Sequence, residues 1–304
     1  MSNSLKGVIL VVLGAAFWGI GGTVSERLFR SYHLPLDWFI TIRLFLSGFL
    51  LLILALCNKQ NIWIIFKEKH SMLQLFIYGI VGMFGVQYTF LAAIHEGNAA
   101  VATLLQYLAP IFILVYLLLT KKTAFSMIDL MVIMVSSFGT FLLLTGGHIT
   151  SVKVSLLAIF WGILSGMAAA FYTMYATRLF KWYPSLTVIG WAMVIASVFA
   201  ALFNRHWHIN PISFDIQGQL YFIFVIVVGT ALAFWLYLLS VKYIEPQVTA
   251  LLGCIEPLTS IIISITWLNV TFNTVQFIGM LIIIGVVLFI SIYNNYRNKS
   301  SVKS

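Results

Sequence analysis

Charged residues are scarce in this 304-residue chain, at 8% of the total. A water-soluble domain carries about 25% charged residues, because its surface must stay hydrated. Hydrophobic residues reach 62% instead, and the mean hydropathy is +1.04. So few polar side chains could not cover a surface in water. The composition therefore predicts an integral membrane protein in contact with the lipid bilayer.

Cysteine is also rare, since Cys57 and Cys254 are the only two. They form no CxxC motif and provide no disulfide framework. HExxH, GxSxG and GxxxxGK[ST] motifs are absent, as is an acid pair spaced for one helix face. The sequence therefore predicts no catalytic residues, no metal site, no cofactor and no nucleotide hydrolysis, which disfavours an enzyme.

Ten apolar segments are long enough to cross a bilayer core about 30 Å thick, which needs roughly 20 helical residues. Their limits are 5–25, 36–57, 71–94, 99–120, 127–146, 153–176, 184–203, 218–241, 246–268 and 273–294. No gap between them is long enough for a soluble domain. We predict an all-α protein of ten transmembrane helices, multi-pass in the cell membrane.

Basic residues predict the orientation of these spans. The net charge of +9 would favour nucleic acid in a soluble protein, but here lysine and arginine lie in short gaps, so no nucleic-acid partner is expected. With the N-terminus inside, twelve basic residues face the cytoplasm and four face outward, including Arg205. Both termini, with the basic tail 295–304, are therefore predicted to be cytoplasmic.

The two halves of the chain resemble each other. Val101-Ala102-Thr103-Leu104-Leu105 leads to Pro110, and Val248-Thr249-Ala250-Leu251-Leu252 leads to Pro257, at a constant offset of 147 positions. This predicts two repeats, 5–146 and 153–294, of five helices each. Because five is odd, the second repeat starts from the opposite side of the membrane. Such inverted repeats are typical of transporters in which one site faces either side in turn.

Pro110 and Pro257 fall near the middle of their spans. Each lacks an N–H and clashes with the carbonyl four residues earlier, which frees the carbonyls of Gln106 and Gly253. Broken helices at matched positions in two halves indicate a binding site near the midplane. A tolerated kink is the alternative interpretation.

Glu256 is the only one of eight acids that lies deep in a predicted span, roughly 15 Å from the inner face. The other seven, including Glu26 and Asp129, lie at span ends or in loops, where solvent or headgroups would surround them. Arg43 is the one comparably deep base. Three interpretations remain open for Glu256: an ion pair with Arg43 as its structural partner, a group that binds a coupling proton or a cation, or a neutral buried acid.

Polar aromatic and amide side chains within the spans could line a cavity for a small-molecule substrate. With Glu256, the candidates are Trp18, Gln87, Tyr88, Gln106, Tyr107, Tyr172, Trp191, Trp235 and Tyr237. Packing inside the helix bundle is the alternative for each. Glycines such as Gly19, Gly22 and Gly166 are expected to allow close helix packing.

These features together resemble the drug/metabolite transporter superfamily, in particular its ten-helix EamA-type branch. The resemblance covers nearly the whole chain. It rests on the following residues: Trp18-Gly19, Arg43-Leu44-Phe45, Pro110, Glu256-Pro257 and Gly279 to Gly285. The family commonly carries a glutamate after the fourth and ninth spans, where this chain has Thr120-Lys121-Lys122 and Leu268-Asn269, so no role of those acids carries over.

The resemblance implies a secondary transporter that moves an amino acid, a similar small metabolite or a drug-like compound without ATP hydrolysis. We expect export by alternating access, with proton coupling as one form of the mechanism. A passive facilitator or channel of the same fold, in which Glu256 is structural, is the alternative.

Overall fold

The structure, a computed structural model, describes residues 3–121, 126–147, 154–207, 214–244, 248–249 and 252–301, with side chains described up to residue 290. The described residues form helices joined by turns and short irregular segments, and they contain no strand. Eleven helices are numbered here: α1 Asn3–Tyr32, α2 Leu36–Cys57, α3 Lys69–Glu96, α4 Ala99–Gln106, α5 Ala109–Leu119, α6 Met127–Thr145, α7 Leu156–Phe180, α8 Ser185–Ala201, α9 Ile216–Ser240, α10 Ile255–Thr266 and α11 Thr274–Ser301. A short 3₁₀ turn, Ile64–Lys67, precedes α3.

Seven described helical segments are long and apolar enough to cross a membrane, with α4 and α5 counted as one segment. They agree with seven of the ten predicted spans. Three shorter apolar helices, Ser185–Ala201, Ile255–Thr266 and Thr274–Ile290, lie at the predicted seventh, ninth and tenth spans. Part of the predicted ninth span, residues 246–247 and 250–251, lies outside the described residues, as do Lys122 and the last three residues of the predicted tail.

The first helix is longer than the sequence predicts, because the polar residues at its end have partners. α1 continues to Tyr32, whereas the prediction ends at residue 25. Glu26 is fully buried: its Oε2 accepts a hydrogen bond from the Ala99 N–H at 2.7 Å, and its Oε1 lies 2.8 Å from Arg30 Nη2. The prediction that Glu26 faces solvent or headgroups is therefore wrong. Its carboxylate instead satisfies an N–H in the first turn of α4, where a negative charge is favourable.

Two other acids cap the N-terminal ends of helices. Asp129 is buried, and with Ser126 it forms a reciprocal capping box at the start of α6, so the prediction that it is solvated is wrong as well. Asp215 caps α9 by accepting from the Gly218 N–H at 2.8 Å, and it accepts from the Tyr32 hydroxyl at 2.6 Å. These hydrogen bonds lower the pKa of the exposed Asp215 carboxyl.

Helix packing follows the same pattern in both halves of the chain. α2 packs on α8, and α6 packs on α11, so that corresponding helices of the two halves meet. α3 packs on α7 just as α9 packs on α1, and α4 packs on α7 while α10 packs on α1. α4 also contacts α10. The two broken spans therefore meet at the centre of the bundle.

Two glycines that are 147 positions apart lie at close helix contacts in corresponding places. A methyl group at Gly19 would lie 2.5 Å from the backbone oxygen of Glu256 and 3.0 Å from Thr259 Cβ. A methyl group at Gly166 would lie 2.8 Å from both the backbone oxygen of Leu105 and the ring of Phe112. The expected packing role of small residues thus applies to Gly19 and Gly166. Gly22 has no atom closer than 3.8 Å to that position.

Two π-helical turns interrupt otherwise regular helices at corresponding places. Tyr78–Phe84 lies within α3, and Val227–Leu232 lies within α9. Each π turn contains one more residue than an α turn, so the side chains that follow are rotated about the helix axis. Hydrophobic periodicity alone did not predict them.

Candidate functional site

The fourth predicted span is interrupted just before its proline. α4 ends at Gln106, Tyr107 and Leu108 form a turn, and α5 begins at Ala109 with Pro110 in its first turn. A proline is favourable there, because the N–H it lacks would have no partner inside the helix. The second half repeats this arrangement: Gly253 and Cys254 form a turn, and α10 begins at Ile255, two residues before Pro257.

Tyr107 joins the two interruptions. Its hydroxyl lies 2.6 Å from the backbone oxygen of Gly253 and 3.2 Å from Oε2 of Glu256. The Gly253 carbonyl is one of the two that the sequence analysis predicts to be freed. Here it accepts from the Glu256 N–H at 2.9 Å as well as from the tyrosine hydroxyl, so it is not left without a partner. A hydroxyl carries a single proton, so Tyr107 donates fully to only one of these oxygens at a time. This pair of contacts ties the carboxylate to the centre of the bundle.

A cavity of about 330 Å³ surrounds this junction and is lined from both halves of the chain. Nine side chains singled out in the sequence line it: Trp18, Arg43, Gln87, Gln106, Tyr107, Pro110, Tyr172, Tyr237 and Glu256. Gln106 Nε2 donates to Ser165 Oγ at 2.8 Å, which fixes its amide on α7. The size of the cavity and its mixture of aromatic, amide and charged groups are typical of small-molecule sites.

Tyr88, Trp191, Trp235 and Pro257 are not among the residues that line the cavity. Trp191 Nε1 donates to the Ile62 carbonyl at 2.8 Å instead. The Tyr88 ring packs on Phe84 and Trp161, with centroids 5.3 Å and 5.5 Å away. It follows Gln87 on the helix and is therefore rotated by about 100° from the cavity face. Trp235 lines a separate cavity of about 50 Å³ with Asn58 and Lys242.

Of two aromatic side chains of α9 in the site, sequence reasoning named Tyr237 and missed Phe234. Phe234 and Tyr237 line the cavity, and each lies 4.8 Å from the Trp18 ring between centroids. Their spacing of three places them on one helix face, which was the available signal. This face, which follows the π turn that ends at Leu232, points to the cavity, whereas Trp235 does not.

Arg43 lines the same cavity but does not pair with Glu256 in this structure. Its Nε donates to Thr230 Oγ1 in the π turn of α9 at 2.9 Å, and its Nη1 is buried without a hydrogen-bond partner. The Arg43 and Glu256 side chains lie farther apart than the 4.0 Å of an ion pair. The interpretation of Arg43 as a structural charge partner of Glu256 therefore does not describe this conformation.

Comparison with known proteins agrees with this architecture. The profile of the EamA-like transporter family matches residues 5–145 and 156–292, once in each half of the chain. A Salmonella typhimurium protein named "Uncharacterized inner membrane transporter YicL" is 34% identical over 99% of this chain and 100% of its own length. The "Riboflavin transporter ImpX" of Fusobacterium nucleatum subsp. nucleatum is 32% identical over 71% of this chain and 69% of its own.

The fold is also found among crystal structures. One protein of known structure superposes with a TM-score of 0.61, covering 94% of each chain at 15% sequence identity. This likeness concerns the fold alone. The two family matches and the names of the relatives indicate a transporter rather than an enzyme. The chain belongs to the EamA-like transporter family and is a multi-pass protein of the cell membrane.

Proposed function

We propose that this protein is a secondary transporter that exports a small metabolite, such as an amino acid, a similar solute or a drug-like compound, by alternating access. The observation that best supports this proposal is the central cavity, which both halves line and where the two interrupted spans meet. Interrupted helices expose backbone groups to a ligand and allow each half to move against the other. Energy would come from an ion gradient, since no nucleotide-binding motif occurs in the sequence.

The proposal includes ten transmembrane helices in two inverted repeats, with both termini in the cytoplasm. The uneven distribution of lysine and arginine supports this orientation. Exposed Lys121 would then face the cytoplasm, and exposed Arg205 would face outward. Alternating access depends on this topology, because inverted repeats present one site to the two sides in turn.

Single-cysteine labelling tests the topology. In a protein whose Cys57 and Cys254 are replaced by serine, an impermeant maleimide added to intact cells should label Arg205→Cys and spare Lys121→Cys. Permeabilised cells serve as the control, because both positions should then react. Labelling of Lys121→Cys from outside intact cells would contradict the orientation and the inverted repeat together.

Glu256 is the group that we propose to carry a coupling proton. Its carboxylate faces the cavity, is half-buried, and contacts the Tyr107 hydroxyl rather than a basic side chain. A carboxylate within a membrane is costly when it is charged, so binding of a proton and binding of substrate can influence each other there. The cavity places both events within one site.

Accumulation of solute in proteoliposomes tests the proposed function. Vesicles with a pH gradient are incubated with a ¹³C-labelled metabolite extract, and their contents are identified by mass spectrometry. We expect at least one solute to become more concentrated inside than outside, and an uncoupler to abolish the difference. Protein-free vesicles provide the control. Equilibration without concentration would instead indicate a passive facilitator, and retention of no solute would contradict transport.

A further inference from the structure

The central cavity contains a buried cation, Arg43, that forms no ion pair with a described carboxylate. Arg43 is 5% exposed, and among the described residues no carboxylate lies within ion-pair distance of it. Its Nη1 donor has no hydrogen-bond partner, although the side chain lines the cavity. Burial of a guanidinium N–H donor without an acceptor is unfavourable, and unsatisfied buried donors in folded proteins require an explanation. A ligand with an anionic oxygen would supply the missing acceptor.

Arg43 is also held in a fixed orientation. Its Nε donates to Thr230 Oγ1 at 2.9 Å, and the Thr230 hydroxyl in turn donates to the Val225 carbonyl at 2.8 Å. The guanidinium plane is therefore anchored on one edge to the π turn of α9. The unpartnered Nη1 is buried and belongs to the part of the group that this anchor does not hold. A planar donor group held in this way is suited to a carboxylate.

Aromatic residues make up six of the eighteen that line the cavity. The following six rings contribute: Trp18, Phe90, Tyr107, Tyr172, Phe234 and Tyr237. Aromatic walls favour a planar, apolar body, which can stack against one ring and meet the edge of another. Glu256 lines the same cavity and would disfavour a doubly charged anion such as phosphate. The combination fits a single negative charge on an aromatic body.

We propose that Arg43 binds the carboxylate of the transported solute, and that the substrate class is small aromatic carboxylates. This inference rests on the proposed transport function, because it assigns the cavity to the substrate. Arg43 is then a specificity-determining residue rather than a structural partner of Glu256. The aromatic walls bind the ring, and the guanidinium selects the charged group.

Binding of two nearly isosteric probes to the purified protein tests the assignment. Isothermal titration calorimetry at neutral pH compares phenylacetate with phenylacetamide, which has the same ring but no charge. Because a hydrogen bond between charged groups is worth more than a neutral one, we expect phenylacetate to bind about tenfold more tightly. Equal affinities, or no binding of phenylacetate at millimolar concentration, would overturn the proposal.

Substitution of the arginine shows whether the preference depends on it. Arg43→Met should bind the two probes equally, whereas Arg178→Met should keep the preference, because Arg178 lies outside this cavity. Thermal unfolding of each variant shows that it is folded, and the comparison of probes in the unmodified protein requires no variant. A tenfold preference that persists in Arg43→Met would overturn the role of Arg43.

Failure of this inference is distinguishable from failure of the proposed function. Calorimetry reads binding alone, whereas proteoliposomes read transport. Binding of phenylacetate through Arg43 in a protein that moves no solute would contradict transport and leave the carboxylate site standing. Accumulation of other solutes by a protein that binds the two probes equally would support transport and contradict the carboxylate site.

Discussion

Replacement of Glu256 by glutamine should abolish accumulation driven by a pH gradient, while exchange of substrate between equal concentrations continues. Glutamine resembles the protonated acid in shape, so the cavity and its contact with Tyr107 should persist. It cannot release or take up a proton, and therefore a pH gradient can no longer do work through this site. Both rates are measured in proteoliposomes that contain equal amounts of protein.

Glu96→Gln provides a matched control for this substitution. Glu96 lies at the end of α3, where its Oε1 is 3.1 Å from His95 Nδ1, and it does not line the central cavity. We expect this variant to retain accumulation. A Glu256→Gln protein that still concentrates solute against a gradient would show that another group carries the coupling, or that none does.

Stability of the same variant separates coupling from a structural role. Removal of one partner from a buried ion pair would cost about 3–5 kcal/mol, because the remaining charge is left uncompensated. The structure instead shows Glu256 hydrogen-bonded to Tyr107, with Arg43 beyond ion-pair distance. The free energy of unfolding should then change by less than about 1 kcal/mol. A large loss of stability that Arg43→Met reverses would favour the ion pair.

Much of this site is predictable from sequence, because charged residues and prolines are rare within membrane-spanning segments. A proline, a glutamate or an arginine inside an apolar span is costly unless it serves the structure or the function. Pro110, Glu256 and Arg43 were found by this argument, and all three line the cavity. The equal offset between the halves likewise relates Pro110 to Pro257 through the order of residues alone.

Two features of the structure could not be predicted from the sequence: the rotation of side chains about a helix axis, and the partners of residues at helix ends. The π turn in α9 rotates the side chains that follow it about the helix axis. In this part of the helix Trp235 points away from the cavity, while Phe234 and Tyr237 line it. No hydrophobic pattern indicates such a turn. Glu26 was missed for a different reason: its partner, the Ala99 N–H, is distant in the sequence and is brought to it only by the fold.

The second large effect is expected at Gly19, where α1 meets α10. Replacement by alanine would place a methyl group 2.5 Å from the backbone oxygen of Glu256 and 3.1 Å from the Ser260 N–H nitrogen. Backbone atoms cannot move aside as a flexible side chain can, so the two helices must separate. Overpacking of this kind costs about 1–3 kcal/mol. Thermal unfolding of the purified protein, followed by circular dichroism, measures the loss.

Gly22→Ala is the matched control in the same helix. The nearest atoms to the added methyl group are 3.8 Å away, which is ordinary van der Waals contact. Because alanine is favoured over glycine within a helix by roughly 0.5–1 kcal/mol, this variant should be as stable as the original or slightly more so. Equal losses at both positions would show that flexibility of α1, rather than the contact with α10, is what matters.

Gly166→Ala extends the test to the other half of the chain. Its methyl group would lie 2.8 Å from the Leu105 oxygen, but its remaining close neighbours are ring atoms of Phe112, which can rotate. We therefore expect a smaller loss of stability than at Gly19. The Gly19 contact also positions Glu256, so Gly19→Ala should slow accumulation in proteoliposomes even at a temperature where the protein remains folded. Normal accumulation by a folded Gly19→Ala protein would contradict the dependence of Glu256 on this contact.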